Sequence, residues 1–265
     1  MNNPKRLFLF AGYDRNGIID CSLVHYIQSL SKIGDVIVVM DCDCSENEIS
    51  KLSKHCINIS ASRHGEYDFG SYKRAYQYSK DNNLLNNYDY VYMVNDSVYG
   101  PLSINDFQNA LIKLENSGAD FIGMVSNEDV KYPKHIQSWF VGFSKKIVKN
   151  KNFDKFMLSI TKENNKSDIV RKYEIGLSLL MSQISAKSFV LYEQNNHICN
   201  TVWTKPWVLI KQGIPFIKKS AIQHCFSYGF LQKVLQNDTI LHEIKTKNTF
   251  IRPRPIKHIL TKIFS

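Results

Sequence analysis

The stretch YDYVYMVNDSVYGPL (residues 88–102) changes character partway along: seven mostly aromatic and β-branched residues run into Asn95-Asp96-Ser97, and Gly100-Pro101 follow. A short apolar run bounded by turn residues reads as a buried strand, and the polar triplet as the loop at its carboxyl end. The same pattern recurs upstream. RLFLFAG (6–12) gives way to YDRNG, DVIVVM (35–40) to Asp41-Cys42-Asp43, and CINI (56–59) to SRHGEYD (62–68). DFIGMV (120–125), SWFVGFS (138–144) and residues 188–192 supply further strands. Stretches at 19–33, 46–55, 70–80, 144–160 and 167–183 read as helices, and 194–265 as irregular, basic and aromatic-rich. Alternating strands and helices predict an α/β, Rossmann-like fold: a mixed, mostly parallel sheet with helices on both faces. Ligands of such sheets sit beyond the carboxyl ends of the strands, so the four polar loops should converge on one crevice.

Composition narrows the function. The 265 residues are 43% hydrophobic and 22% charged, which excludes disordered, collagenous and disulfide-scaffold chains. Net charge is +10, but residues 1–200 contribute only +1 and residues 201–265 contribute +9. No run approaches the ~18 apolar residues that span a bilayer, and LFLFAG (7–12) is too short for a signal peptide core, so a cytoplasmic location is expected. Six cysteines lack paired CxxC spacing and a zinc-type histidine cluster, and read as reduced thiols. Neither GxGxxG nor GxxxxGK[ST] occurs, which disfavours dehydrogenases and P-loop kinases. What remains at the strand ends is carboxylates, one Arg and one Lys, a set suited to a diphosphate with or without a divalent metal. That points to a nucleotide-sugar site.

Five blocks sharpen this: RHGEYDFGSYKR (63–74), YDYVYMVNDSVYGPL (88–102), IQSWFVGFSK (136–145), YEIGLS (173–178) and GIPFIKK (213–219). In this order they resemble the rhamnan-synthesis RgpF-like glycosyltransferases. The resemblance implies a GT-A-like core over residues 1–200, with a donor half at 1–100 and an acceptor and catalytic half at 101–200. A basic extension, 201–265, would complete the site and contact membrane.

It also implies residue roles. Tyr13, Asp14, Asp41, Arg63, Asp68, Lys73, Asn95, Asp96 and Ser97 are expected to bind the donor. In GT-A enzymes an Asp-x-Asp at this strand end holds a divalent metal against the diphosphate. Here Asp96 is the triplet's sole carboxylate, so either it holds Mn²⁺ or Mg²⁺, with His197 as a late metal or phosphate contact, or the triplet is a turn bonding local backbone. The literal Asp-x-Asp, Asp41-Cys42-Asp43, suits a ribose or base contact, or an Asx-turn. Arg63 and a helix amino end favour a diphosphate leaving group, while Asp68 could equally be that helix's cap. Glu174, at a helix start, matches the base of an inverting transfer, which takes the acceptor's proton as the nucleotide leaves; a first-turn Glu also suits the helix dipole. Gln137 and Trp139 are expected at the acceptor, although a strand aromatic is commonly core. Lys218 and Lys219 either close over phosphates or form a solvated pair.

The function implied is transfer of a sugar, with rhamnose from dTDP-rhamnose leading, to a lipid-linked, growing bacterial cell-surface polysaccharide. The alternative is a non-catalytic basic module binding anionic membrane or nucleic acid through the last 65 residues. No RNP, helix-turn-helix or zinc-finger pattern accompanies the charge, so no nucleic-acid partner is expected. In IRPRPIKHILTKIFS (251–265), Ile256, Ile259, Leu260, Ile263 and Phe264 recur at helical spacing between Lys257, His258 and Lys262. That predicts a short basic amphipathic helix, either peripheral on the inner membrane face or packed on the core.

Overall fold

The computed structural model describes residues 4–128, 132–194, 201–225 and 237–247. Its strands are β1 (Arg6–Gly12), β2 (Asp35–Met40), β3 (Asn58–Ala61), β4 (Tyr90–Asn95), β5 (Val98–Tyr99), β6 (Phe121–Asn127), β7 (His135–Ile136), β8 (Phe140–Ser144), β9 (Ser188–Tyr192) and β10 (Ile217–Lys218). The main sheet runs β3-β2-β1-β4-β8-β6-β7, and β9 also pairs with β6. The pairs β1–β2, β1–β4, β2–β3 and β6–β9 are parallel. Inserted between β4 and β6, β8 is antiparallel to both, and β7 is antiparallel to β6. A mixed, mostly parallel sheet is what the sequence predicts.

Successive side chains of a strand point to opposite faces, and both faces are covered here. Phe8, Phe10, Val36, Val38, Tyr92 and Val94 pack against Leu23, Tyr26, Ile27 and Leu30 of helix Cys21–Ser31 and against Phe107, Leu111 and Leu114 of helix Ile104–Asn116. Leu7, Leu9, Ile37, Val39, Val91 and Met93 face Phe69, Tyr72 and Tyr76 of helix Tyr67–Asp81, together with Phe153, Met157 and Leu177. Burial on both faces explains why these strands read as continuous apolar runs rather than as alternating ones. Arg6 anchors helix Ile104–Asn116 to the sheet. Its Nε and Nη2 donate to Glu115 Oε1 and Oε2 at 2.6 and 2.7 Å, and the Tyr92 hydroxyl adds 2.8 Å to Oε1.

Four features of the fold depart from what the sequence predicts. The helix expected over 144–160 is two, Lys145–Val148 and Lys151–Ser159, because the Asn150 side chain accepts from Asn152 N and starts the second. The 167–183 helix contains a π-helical turn, Val170–Ile175, between Lys166–Ile169 and Gly176–Gln183. Helix Ile104–Asn116 and the two-residue strands β5 and β7 were not foreseen. Finally, the region past 194 is not irregular over its described residues. It forms helices Thr201–Thr204, Pro206–Lys211, Lys219–Cys225 and Asp238–Lys247 and strand β10. Val202, Leu209, Ile214 and Phe216 sink into the first core, while Tyr99, Ile217, Ala221, Ile222, Ile240 and Ile244 make a third. His197 and the amphipathic helix expected within 251–265 lie outside the described residues. Among the described residues no helix is long and apolar enough to cross a membrane.

Candidate active site

A cleft of about 790 Å³ opens at the carboxyl ends of β1, β2, β3 and β4. Tyr13, Asp41, Arg63, Asp68, Asn95, Asp96 and Ser97 all line it, so the four polar loops converge as the topology requires. Asp14 lines an adjoining recess that shares Tyr13 and Arg63. Lys73 is turned elsewhere: its Nζ donates to Ile160 O at 2.7 Å.

The cleft wall is built around Asp41. Its buried carboxylate accepts His64 N at 2.8 Å and Gly65 N at 2.7 Å, while Asp43 Oδ1 accepts Arg63 N at 3.1 Å. Both carboxylates of the literal Asp-x-Asp therefore hold the 63–65 loop. Arg63 Nη1 donates to Asp41 O at 2.7 Å, and its guanidinium lies 4.9 Å over the Tyr13 ring. A cation and an aromatic face thus stand together at the rim, Tyr13 being 49% exposed. Glu66 N donates to His64 Nδ1 at 3.1 Å, so Nε2 carries the proton and donates to Ser71 Oγ at 3.0 Å. Burial pulls the His64 pKa down, in keeping with a neutral ring. The Asp14 carboxylate is engaged by Asn16 N and Ile18 N at 2.8 and 3.0 Å and shapes its own turn.

At the base of the cleft, hydrogen bonds link the amino half of the chain to its last quarter. Asp68 lies in the first turn of helix Tyr67–Asp81, not at its cap, which is Glu66. Asn95 Nδ2 donates to Asp68 Oδ2 at 3.0 Å, and Asn95 Oδ1 accepts both Ser97 N, at 3.1 Å, and the Ser97 hydroxyl. Lys218 Nζ donates to Ser97 Oγ at 2.8 Å. Burial raises the Asp68 pKa and the negative charge of Glu174 adds to that, against Lys218 and Lys166. The Lys218 ammonium is pulled by burial down to about 8, although Glu174, Asp68 and Asp96 all favour its charge. Asp96 Oδ2 accepts Tyr13 N at 3.1 Å.

Lys218 reaches this point because β10 pairs antiparallel with β5, placing Lys218 opposite Val98. The ribbon needs a bare backbone at Gly100. Its φ is +153°, and a Cβ there would stand 2.3 Å from Phe216 Cδ1 and 2.8 Å from Pro215 O. Phe216 in turn packs against Tyr26, Phe107, Phe140 and Trp139, with centroids at 5.2, 5.3, 5.7 and 5.8 Å.

Glu174 sits in the π-helical turn, a feature that recurs at functional sites. Its Oε2 accepts Ser138 N at 3.0 Å and the Ser138 hydroxyl, and His135 Nε2 stands 3.3 Å from Oε1. Burial pushes its carboxyl pKa up, but the bonds from His135 and Ser138 outweigh this, so the pKa lies below the usual range and the group is ionised near neutral pH. Gln137 and Trp139 are buried: Trp139 Nε1 donates to Gln137 Oε1 at 3.0 Å, and Lys218 Nζ stands 5.8 Å from the indole ring centroid. They form the wall behind Lys218 and do not present an open sugar platform. The sequence reading missed Tyr67, whose 42% exposed ring lines the cleft, and the loop carrying Lys162, Glu163 and Lys166. The polar run KENNK (162–166) directly after the expected helix was the available signal.

A divalent cation fits these residues poorly. Asn95 and Ser97 are committed to one another, to Asp68 and to Lys218, which leaves Asp96 as the triplet's carboxylate. Among the described residues no three His, Cys, Asp or Glu side chains are grouped to hold a metal.

Sheet order, strand-end cleft and carboxylate-plus-cation lining define an α/β protein with a candidate ligand site beyond the carboxyl ends of its parallel strands. The chain belongs to the rhamnan synthesis protein F family, whose model matches residues 36–257. It is 27% identical over 168 residues to the uncharacterized protein y4gN of Sinorhizobium fredii (strain NBRC 101917 / NGR234), matching 63% of this chain and 43% of that protein, so it spans less than half of that relative's length. Among solved structures, a protein of Desulfovibrio desulfuricans G20 assigned as a nucleotide-diphospho-sugar transferase is 16% identical, covers 92% of this chain and 99% of its own, and gives a TM-score of 0.43. A glycosyltransferase involved in glycosylating the major capsid of PBCV-1 is 9% identical, covers 82% of this chain and 93% of its own, and gives 0.42.

Proposed function

We propose that this protein transfers a hexosyl group, with rhamnose the leading candidate, from a nucleoside-diphosphate donor to a growing cell-surface polysaccharide, with inversion at the anomeric carbon. The carrying observation is the convergence of Arg63, Asp68, Asn95, Asp96 and Ser97 on one strand-end cleft in a chain of the rhamnan synthesis family. Arg63 and Tyr13 at the rim suit the nucleotide end of the donor, the guanidinium by charge and the ring by stacking. Glu174 is the base: it is ionised, oriented by Ser138 and His135, and close enough to Asp68 and Lys218 to perturb both. Residues 201–265 complete the site through Lys218. The acceptor is a lipid-linked glycan, reached at the inner face of the membrane through the basic residues past 250.

The test is release of nucleoside diphosphate from a panel of nucleotide sugars offered with an oligosaccharide acceptor, followed by nuclear magnetic resonance of the new anomeric centre. Turnover of one donor with inverted configuration is expected. Retained configuration would remove Glu174 from the role of base, and turnover of no donor would overturn the reading.

A further inference from the structure

A nucleoside diphosphate that departs from a sugar gathers negative charge on its β-phosphate, and something at the end of β4 must meet it. The residues there are ill suited to a divalent cation, because Asn95 and Ser97 are committed to a hydrogen-bonded chain. That chain ends on an ammonium group. Lys218 Nζ directs one of its three donors at Ser97 Oγ, 2.8 Å away, and Ser97 lines the cleft.

We propose that Lys218 is the cation that receives the diphosphate's charge at the Asn95-Asp96-Ser97 triplet, in the place a metal would take, with Ser97 as the residue that positions it. The proposal rests on the nucleotide-sugar reading and deepens it.

Several features of the fold support this. Burial of an ammonium is costly, so a lysine held here needs anionic support, and the charges of Glu174, Asp68 and Asp96 all favour its ammonium form. Two other carboxylates of the cleft already have cations: Asp41 pairs with Arg63 at 3.2 Å and Glu163 with Lys172 at 2.6 Å. The Lys218 backbone is held in place, since it is paired with β5 and the neighbouring Phe216 is packed among four aromatic rings. Trp139, 5.8 Å from the ammonium, adds an electron-rich face that favours the charged form. A cation fixed in this way stabilises developing charge without reorganising during the step.

The step then balances without any further reactant. The bond from the anomeric carbon to the β-phosphate oxygen breaks and leaves its electron pair on that oxygen, beside Lys218, which keeps its proton. The acceptor oxygen forms the new bond to the anomeric carbon, and its proton passes to Glu174.

The test is calorimetric titration of the full chain with dTDP, UDP and GDP and with the matching monophosphates, first in EDTA and then with Mn²⁺ or Mg²⁺. One diphosphate should bind in EDTA, and the metals should add little. Lys218→Met should weaken that diphosphate by ~10–100-fold, the worth of a hydrogen bond to a charged group, and leave the monophosphate unchanged. Lys218→Arg should keep most of the preference for diphosphate, and Ser97→Ala should lose part of it, so these two decide the matter if Lys218→Met does not fold. Diphosphate binding that requires the metal, or a preference unchanged in Lys218→Met or in Ser97→Ala, overturns the assignment. If wild type binds none of the diphosphates under either condition, the nucleotide-sugar reading itself falls, and this inference falls with it.

Discussion

Phe216→Ala tests whether the last quarter of the chain is fastened to the sheet core where the structure places it. Phe216 is 2% exposed and meets Tyr26, Phe107, Trp139 and Phe140 at centroid distances of 5.2, 5.3, 5.8 and 5.7 Å. Truncating a buried Phe costs about 3–5 kcal/mol, and the upper end is expected because each aromatic pair is worth about 0.5–1.5 kcal/mol beyond its area. At roughly 2–4 °C per kcal/mol for a chain of this size, Tm should fall by about 6–20 °C. Calorimetry measures that figure, and hydrogen exchange locates the damage. Lys219 N, bonded to Ser97 O at 2.9 Å, and the β10 amides should exchange faster, while amides of β1 and β2 keep their protection. A fall of less than about 2 °C, or faster exchange spread evenly over the sheet, refutes the reasoning.

Other perturbations probe the carboxylates. Glu174→Gln should lower turnover by ~10²–10⁴, the usual worth of a general base, with diphosphate affinity little changed. Normal turnover combined with lost affinity, measured by steady-state kinetics and titration, would move Glu174 into the donor site. Asp68 has its pKa raised by burial and by Glu174, so folding stability is lost as pH rises from the ordinary aspartate range through that raised value. Asp68→Asn should therefore raise Tm near pH 7, with little gain near pH 3 where both states are protonated; a lower Tm than wild type near pH 7 contradicts this. Arg6→Met should cost about 3–5 kcal/mol in urea denaturation by stranding buried Glu115. The triple change Arg6→Met, Glu115→Leu, Tyr92→Phe should recover most of it, and no recovery would mean that packing, not charge, carries the loss.

Strands buried on both faces were the legible part of the fold. β1 and β2 match the expected 6–12 and 35–40, since a doubly covered strand leaves an uninterrupted apolar run. The direction of β8 was not legible, because an antiparallel strand lined by Phe140, Val141 and Phe143 has the same composition as a parallel one. Helix Ile104–Asn116 went unread although its signals are present: Ser103 caps it, and Phe107, Ala110, Leu111 and Leu114 follow the helical period. In the cleft, the strand-end rule brought Asp96 and Arg63 together, but it could not tell a ligand-facing carboxylate from Asp41, whose Oδ1 is occupied by loop amides and whose Oδ2 pairs with Arg63. Lys218 was seen in the sequence as one of an ambiguous pair. Its position depends on two-residue strands that have no periodicity to detect and that bring together residues 121 apart.

That separation orders events during synthesis. The strands β1 to β4, with Asp41, Arg63, Asp68 and Asp96, all emerge from the ribosome within the first 96 residues, and amino-terminal segments start folding while the rest is still being made. Such a nascent chain carries the carboxylates of the cleft together with Arg63, the partner of Asp41, but lacks the ammonium joined to Ser97. The lysine joined to Ser97 arrives only when Phe216 docks and brings Lys218 in, which makes completion of the site a late event in the life of each molecule.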